Sequence, residues 1–156
     1  MKPRWIVCED GDEYLSRFQR FLGDEFEFVA AGDLQDVLRA LPGAAGLLLD
    51  LDFRRADPAR LVDESGIARA QLAAGERSRL AEVQGVLILR ALRGRGVGLP
   101  ALLCADLDDP AQVQRLEAEL RPLSVVPGSE GVPRIGERLR EIPAISKAQR
   151  RPIGGG

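Results

Sequence analysis

The chain has 156 residues, 45% of them hydrophobic and 29% charged, and its formal net charge is −2. These values indicate one soluble globular domain with a substantial core, and they give no electrostatic basis for binding nucleic acid or an anionic membrane. The sequence contains no histidine, which excludes histidine-based catalysis, histidine metal ligands and a phosphohistidine donor role. No apolar run approaches the ~20 residues of a membrane span. The N-terminal residues lead into a strand rather than a signal peptide, so we expect a cytoplasmic protein.

Short apolar runs alternate with amphipathic segments along the sequence, which predicts a parallel sheet covered by helices on both faces. Two helix starts carry capping signals, at Asp33 and at Asp109-Pro110. In chain order, the predicted elements are strand 4–8, helix 12–22, strand 25–30, helix 34–41, strand 45–51, helix 85–92, strand 99–105, helix 110–120, strand 123–126 and helix 132–142.

Residues 53–84 do not fit this alternation, because a strand-to-helix connection usually takes ~2–6 residues. Asp57-Pro58 is a helix-start signal and residues 67–83 have a helix-forming composition. We therefore predict one or two helices, the second continuing into the helix at 85–92. The apolar stripe of this helical insertion either decorates the surface or docks a partner, with homodimerisation as one possibility. Its predicted interaction residues are Leu72, Leu80 and Val83.

The C-terminal residues 143–156 are basic and end in three glycines. Such a composition is typical of a flexible tail or linker. We therefore expect one domain over residues 1–142, which contains the 53–84 insertion, followed by a tail over residues 143–156.

Two of the predicted strands lead directly into carboxylates. The first strand is followed by Glu9 and Asp10, and the third closes with Asp50 and then Asp52. Because the carboxyl ends of parallel strands meet at one edge of a sheet, these acids predict a site for a divalent cation or a phosphoryl group. As alternatives, Glu9 and Asp10 could cap the first helix, and Asp52 could cap the segment after it. A structural role for Asp50 is harder to argue, because an unpaired buried carboxylate is destabilising.

The order and spacing of these motifs resemble the receiver domain of bacterial response regulators, over about residues 4–52 and 84–142. The resemblance implies a three-layer, doubly wound CheY-like fold with a five-stranded parallel sheet in the order 2-1-3-4-5. It also implies that Asp50 is the phospho-acceptor, that Glu9, Asp10 and Asp50 bind Mg²⁺, and that a sensor kinase or another signalling protein is the partner. The residues that carry it are Ile6–Asp10, Phe28–Leu41, Leu47–Asp50, and Gly85–Arg93 followed by Leu99-Pro100.

Two positions depart from the pattern of that family. Receivers typically carry Ser or Thr at the end of the fourth strand and a Lys before a Pro at the end of the fifth. Ala105 stands at the first position, with Cys104 as the near alternative, and Val126 stands at the second. A hydroxyl and an ammonium group would contact a phosphoryl group on Asp50 and so stabilise the phosphorylated conformation. Without them, phosphorylation has little effect on the balance between the two conformations of the domain.

The sequence therefore predicts a degenerate receiver, or pseudo-receiver, that is not an enzyme and acts through protein–protein interaction. The alternative is a conventional receiver that accepts a phosphoryl group with the help of Mg²⁺. No DNA-binding domain lies within these residues, so we expect no nucleic-acid contact from this chain.

A metal-dependent enzyme is the third interpretation, because Asp50-Leu51-Asp52 is a DxD motif after an apolar strand. Haloacid-dehalogenase-type phosphatases carry such a motif on their first strand, with a downstream lysine and acidic pair that we do not find. Toprim-type nucleases combine a Glu after the first strand with a DxD after the third, which Glu9, Asp50 and Asp52 resemble. Those enzymes need a basic surface and a catalytic lysine, so this interpretation is less favoured.

The two cysteines, Cys8 and Cys104, fall in apolar runs without metal-ligand spacing. We expect both to be small core residues. The implied strand order places the third strand between theirs, which is too far apart for a disulfide.

Overall fold

The computed structural model describes residues 1–69 and 71–149, and leaves the side chains of residues 143–149 undescribed. Five parallel strands form one sheet in the order β2-β1-β3-β4-β5. This sheet confirms the predicted fold class, a doubly wound α/β domain with the 2-1-3-4-5 strand order. The strands are β1 Arg4–Cys8, β2 Glu27–Ala31, β3 Gly46–Asp50, β4 Ala101–Cys104 and β5 Leu123–Val126.

Helices cover both faces of the sheet. Within the described ranges the α-helices are α1 Glu13–Leu22, α2 Leu34–Ala40, α3 Ala74–Glu82, α4 Gln84–Gly94, α5 Pro110–Glu119 and α6 Gly131–Gln149. Short 3₁₀ turns lie at Pro58–Arg60 and Gly128–Glu130.

Alternating residues of each strand pack in two separate cores, because successive side chains point to opposite faces of the sheet. Ile6 and Cys8 of β1 pack in the core under α2, α3 and α4. Trp5 and Val7 pack in the other core, under α1 and α6. The central strands are thus apolar on both sides, which explains why they read as continuous apolar runs.

The predicted caps explain where two helices begin. The Asp33 side chain accepts from the Asp36 N–H at 2.8 Å, and the Asp109 side chain accepts from the Ala111 N–H at 3.0 Å. Each carboxylate satisfies a backbone donor that the first helical turn leaves free. The predicted start of β2 at Glu25 is too early. There the N–H groups of Glu25 and Phe26 donate to the Leu22 carbonyl and close α1 instead of joining the sheet.

The segment 53–84 differs from its prediction in two respects. The helix begins at Ala74 rather than near residue 67, and it ends before α4 because Val83 leaves the helical conformation (φ −125°, ψ 20°). Before it, Val62 and Ala68 form an isolated antiparallel bridge. The segment is therefore a folded loop plus a separate helix, and α3 is not an extension of α4.

A buried glutamine holds this segment to the domain. The Gln84 side-chain oxygen accepts from the Val62 N–H at 2.9 Å, and its nitrogen donates to the carbonyls of Val62 and Leu80 at 3.1 and 3.2 Å. The amide thus pairs with a backbone stretch far away in sequence, as a neighbouring strand would. All of its polar groups are used, as burial requires.

The last helix is longer than predicted. It runs to Gln149 rather than ending at Ile142, so it includes the first part of the segment predicted as a tail. Residues 150–156, the rest of that predicted tail, lie outside the described residues. Among the helices described, none is both long and apolar enough to cross a membrane.

Candidate functional site

The carboxyl ends of β1, β3 and β4 meet at one edge of the sheet. Cys8 of β1 pairs with Leu49 of β3, and Asp50 pairs with Cys104 of β4. Glu9 and Asp10, which follow β1, therefore enter the same edge as Asp50. We call this region the acidic edge, defined by Glu9, Asp10, Glu13, Asp50 and Asp52.

Asp50 lies partly buried at the centre of the acidic edge. Its Oδ1 accepts from the Leu51 N–H at 2.8 Å. Burial raises the pKa of Asp50 to about 6, against the smaller opposing effect of that hydrogen bond, and the negative charges of Asp10 and Glu9 raise it further. Within the described residues Asp50 makes no ion pair. The edge therefore holds a carboxylate whose ionisation is opposed by burial and by neighbouring negative charges.

Glu9 caps the first helix. It is only 4% exposed, and its two carboxylate oxygens accept from the N–H groups of Tyr14 at 3.1 Å and Leu15 at 2.9 Å. Asp12, at the N-cap position itself, makes no side-chain capping bond. Burial raises the pKa of Glu9, while the two backbone hydrogen bonds lower it. The capping alternative therefore describes Glu9 better than the role of a free metal ligand.

Asp10 is bound by an arginine from the loop after β3. The Arg55 N–H donates to Asp10 Oδ2 at 2.8 Å, and Arg55 Nη2 lies 3.1 Å from Asp10 Oδ1. The same guanidinium binds Glu13, with Nη1 to Oε1 at 2.5 Å and Nη2 to Oε2 at 2.9 Å. Hydrogen bonding to Arg55 lowers the pKa of Glu13 to about 2. The side chain of Asp10 is 4% exposed, so Arg55 covers it as well as balancing its charge.

Gly11 leaves the space that Arg55 occupies. A Cβ at this position would lie 2.6 Å from Arg55 Nη2 and 2.4 Å from Glu13 Oε2. Sequence reasoning missed Arg55 and Glu13. The available signal was the Arg54-Arg55 pair directly after the Asp50-Leu51-Asp52 motif.

Asp52 contacts a residue close in sequence, in agreement with the interpretation that it caps the segment after β3. Its Oδ1 accepts from the Arg54 N–H at 2.9 Å, and its Oδ2 lies 2.7 Å from Arg54 Nε. The carboxylate therefore closes the turn after β3.

The two predicted degenerate positions lie at the carboxyl ends of β4 and β5, and their side chains pack in different cores, Ala105 under α2, α3 and α4 and Val126 under α1 and α6. Ala105 and Val126 are both buried, and the Ala105 N–H donates to the Val126 carbonyl at 3.1 Å. Their methyl groups offer neither a hydroxyl nor a cation to the edge.

Two other hydroxyl-bearing side chains lie on this side of the sheet. The hydroxyl of Ser129 contacts Asp106 at 3.4 Å. Tyr14 lies near this side, and its pKa is raised to about 12, mainly by burial.

The residues present do not fit a bound divalent cation in this arrangement. Such an ion needs several oxygen ligands that converge on one point. The oxygens of Glu9 are bonded to the backbone of α1, and those of Asp10 are bonded to Arg55. Among the described residues no group of three or more potential ligands is arranged to hold a metal ion. The predicted Mg²⁺ set of Glu9, Asp10 and Asp50 is therefore not assembled.

The predicted interaction residues of the 53–84 segment have different environments. Leu80 is 1% exposed and belongs to the core, and Leu72 is partly buried against the same core. Val83 is 38% exposed. The apolar stripe that was predicted to bind a partner thus packs largely inside the domain. The prediction of Leu80 as an interaction residue is wrong, because it is a core residue.

Comparisons with known sequences give no assignment. No protein-family model matches the chain, and no curated protein matches it.

Solved structures do match, and several of them are receiver domains. The signal receiver domain of a protein described as a Luxo repressor, from Vibrio parahaemolyticus, matches with a TM-score of 0.65 at 10% identity, covering 96% of this chain and 95% of that one. The receiver domain of a Francisella response regulator gives 0.61 at 12% identity, with 96% and 100% covered. The signal receiver domain of an HD domain-containing protein from Pseudomonas fluorescens Pf-5 gives 0.63 at 12% identity, with 96% and 93% covered. The chain therefore has the fold of response-regulator receiver domains.

Proposed function

We propose that the protein is a receiver-like signalling module that acts mainly through protein–protein contact, with weakened or absent phospho-switching at Asp50. The observation that carries this proposal is that the ends of β4 and β5 carry the buried apolar residues Ala105 and Val126 where a receiver has a hydroxyl and an ammonium group. A ligand or modification shifts a domain only through contacts that differ between its two states. Methyl groups give a new phosphoryl group no such contact.

The distribution of lysine supports the same proposal. The sequence has only two lysines, Lys2 and Lys147, and neither belongs to the β5 segment or stands next to it in sequence. The two arginines that contact the acidic edge bind other carboxylates than Asp50: Arg54 binds Asp52, and Arg55 binds Asp10 and Glu13. An added phosphoryl group carries about −1.5 to −2 charges, and among the described residues Asp50 makes no ion pair that would offset them.

The partner in this proposal is a sensor kinase or another signalling protein. A homodimer through the 53–84 segment is the second candidate. Its exposed apolar residues are Ile67 and Val83, since Leu80 is buried in the core. The arrangement of the acidic edge does not favour turnover of an external substrate, because all of its carboxylates except Asp50 are bound by α1, Arg54 or Arg55.

The experiment is treatment of the protein with Mg²⁺ and either beryllofluoride or acetyl phosphate, followed by backbone NMR and intact mass. We expect at most local shift changes around Asp50, with the amides of β4 and β5 unchanged. The control is Asp50→Asn, which removes the acceptor. Shift changes that spread through β4, β5 and α5 in the unmodified protein would instead identify a conventional receiver.

A restoring variant sharpens this test. Ala105→Thr combined with Val126→Lys supplies the two missing groups. If their absence limits the response, this variant responds to the phosphodonor across β4 and β5 where the parent does not. Phosphatase or nuclease turnover in the same buffer would support the enzyme interpretation.

A further inference from the structure

We infer that Arg55 is a built-in counter-ion, which supplies positive charge to Asp10 and Glu13 of the acidic edge and closes that edge to divalent cations. This inference comes from the disagreement between the acidic residues, which suggest a cation site, and their arrangement, which does not form one. It concerns cation binding and does not depend on whether Asp50 accepts a phosphoryl group.

The contacts of Arg55 occupy the carboxylates that an ion would need. Both oxygens of Asp10 face Arg55, one bound by its backbone N–H at 2.8 Å and the other by Nη2 at 3.1 Å. Both oxygens of Glu13 bind the guanidinium. A planar guanidinium can hold two carboxylates at once, which a point charge does less well.

The same contacts place the chain itself over the edge. Because the Arg55 backbone also binds Asp10, the loop after β3 is tied to the turn between β1 and α1. Gly11 leaves room for this contact, since a Cβ there would lie 2.6 Å from Arg55 Nη2 and the guanidinium would have to shift. An entering ion would therefore have to displace the loop as well as the side chain.

The charges around the edge explain why a cation is needed at all. Asp50 has no ion pair among the residues described, and the negative charges of Asp10 and Glu9 act on it. Like charges this close repel unless a positive charge lies among them. Arg55 provides that charge to Asp10 and Glu13 without a bound metal.

Arg60 offers a matched control on the same segment. Its guanidinium also joins two carboxylates, with Nε 2.5 Å from Asp33 Oδ2 and Nη2 3.0 Å from Asp36 Oδ2. Those residues belong to the start of α2 and not to the acidic edge. Arg60→Gln therefore breaks the same kind of contacts and leaves Asp10 covered.

The experiment is a Mn²⁺ titration of the unmodified protein, Arg55→Gln and Arg60→Gln, with paramagnetic broadening of backbone amides as the readout. We expect no broadening at the acidic edge of the unmodified protein or Arg60→Gln at about 1 mM Mn²⁺. In Arg55→Gln we expect broadening at residues 10–13 and 50–52, with affinity at least about tenfold higher. Mg²⁺ should also raise the melting temperature of Arg55→Gln alone, because a ligand that binds only the folded state stabilises it.

Two results would overturn the inference. Equal Mn²⁺ affinity at this edge in the unmodified protein and Arg55→Gln would mean that Arg55 does not exclude cations. Absence of binding in a folded Arg55→Gln would mean that the freed carboxylates do not accept a cation in place of the guanidinium.

If Arg55→Gln does not fold, Arg55→Lys is the second variant. We expect it to bind Mn²⁺ more tightly than the unmodified protein, because one ammonium group cannot hold both carboxylates. Failure of Arg55→Lys to do so overturns the inference.

Discussion

The folded state disfavours ionisation of the Asp50 side chain. Burial, followed by neighbouring carboxylates, raises its pKa from 3.8 to about 6. Between these two values the folded state binds more protons than the unfolded state, so this residue makes the protein less stable as the pH rises. The full penalty is present above pH 6 and disappears below about pH 4.

We expect Asp50→Asn to stabilise the protein at neutral pH. The full shift corresponds to about 3 kcal/mol, which solvent screening of this partly exposed side chain reduces to about 1–2 kcal/mol. The asparagine oxygen can still accept from the Leu51 N–H. Urea unfolding of both proteins at pH 4 and pH 7.5 checks this, and an equal difference at both pH values would contradict it.

Arg93 is a second residue whose effect follows from its contacts. Its Nε, Nη1 and Nη2 donate to the carbonyls of Leu120, Val97 and Pro122, each at 2.9 Å. Burial lowers the pKa of this guanidinium to about 10. The side chain thus joins the ends of α4 and α5 to the start of β5.

Arg93→Met should lower the free energy of unfolding by about 2–3 kcal/mol, because it leaves partly buried carbonyls without donors. The control is Arg90→Met on the same helix, which loses an exposed pair with Glu119 at 2.8 Å. Such a pair contributes ~0–1 kcal/mol. Urea titration measures both, and similar losses in the two variants would refute the assignment.

At the level of secondary structure, the start of α4 lies unusually close to β3. The Gly85 N–H donates to the Leu51 carbonyl at 3.0 Å. A Cβ on Gly85 would lie 2.0 Å from the Asp50 carbonyl oxygen. The helix therefore packs on the strand end through backbone atoms, directly behind the acidic edge.

Gly85→Ala should destabilise the domain by about 1–3 kcal/mol, because neither backbone can move without shifting the core. Gly75→Ala in α3 is the matched change, since nothing lies within 4 Å of its Cβ position. There we expect a gain of about 0.5–1 kcal/mol from helix propensity. Thermal unfolding of both variants is the measurement, and a stabilised Gly85→Ala would show that the contact is relaxed.

The elements that sequence reasoning predicted well are those defined by local signals. The caps at Asp33 and Asp109 lie within three residues of the groups they bind. The 53–84 segment was predicted less well, because its loop depends on the pairing of Gln84 with Val62. No periodicity in the sequence reports a contact between residues so far apart.

At the level of the whole molecule, α3 is part of the core rather than an appendage. Phe53 is buried and its N–H donates to the Ala81 carbonyl at 2.8 Å. Leu80 packs in the same core as the strands. The segment after β3 therefore contributes to the stability of the entire domain.

Leu80→Ala should lower the free energy of unfolding by about 2–4 kcal/mol through the cavity it creates. Val83→Ala removes an exposed side chain nearby and should change stability by less than about 0.5 kcal/mol. Urea unfolding gives both values, and sedimentation gives the oligomeric state. A dimer lost in Val83→Ala at unchanged stability would favour homodimerisation through this segment, whereas an unchanged stability in Leu80→Ala would contradict the packing.

The layered α/β architecture could be predicted from the alternation of strands and helices, and the strand order from the resemblance to receiver domains. The convergence of Glu9, Asp10 and Asp50 at one edge followed from that topology. The role of Arg55 could not be predicted, since its contact with Asp10 depends on the path of an irregular loop between residues 51 and 57. The Arg54-Arg55 pair places cations close to the Asp50-Leu51-Asp52 motif in the sequence, but it does not show which carboxylates they bind.

The two thiols sit on opposite sides of the sheet, Cys8 in one core and Cys104 in the other. Burial raises the pKa of each thiol, that of Cys104 to about 12, so neither reacts while its core is closed. The labelling rate of each cysteine therefore reports how readily the helical layer that covers it opens. A maleimide that labels Cys104 before Cys8 would show that the layer of α1 and α6 opens first, which gives local unfolding a chemical readout without any added probe.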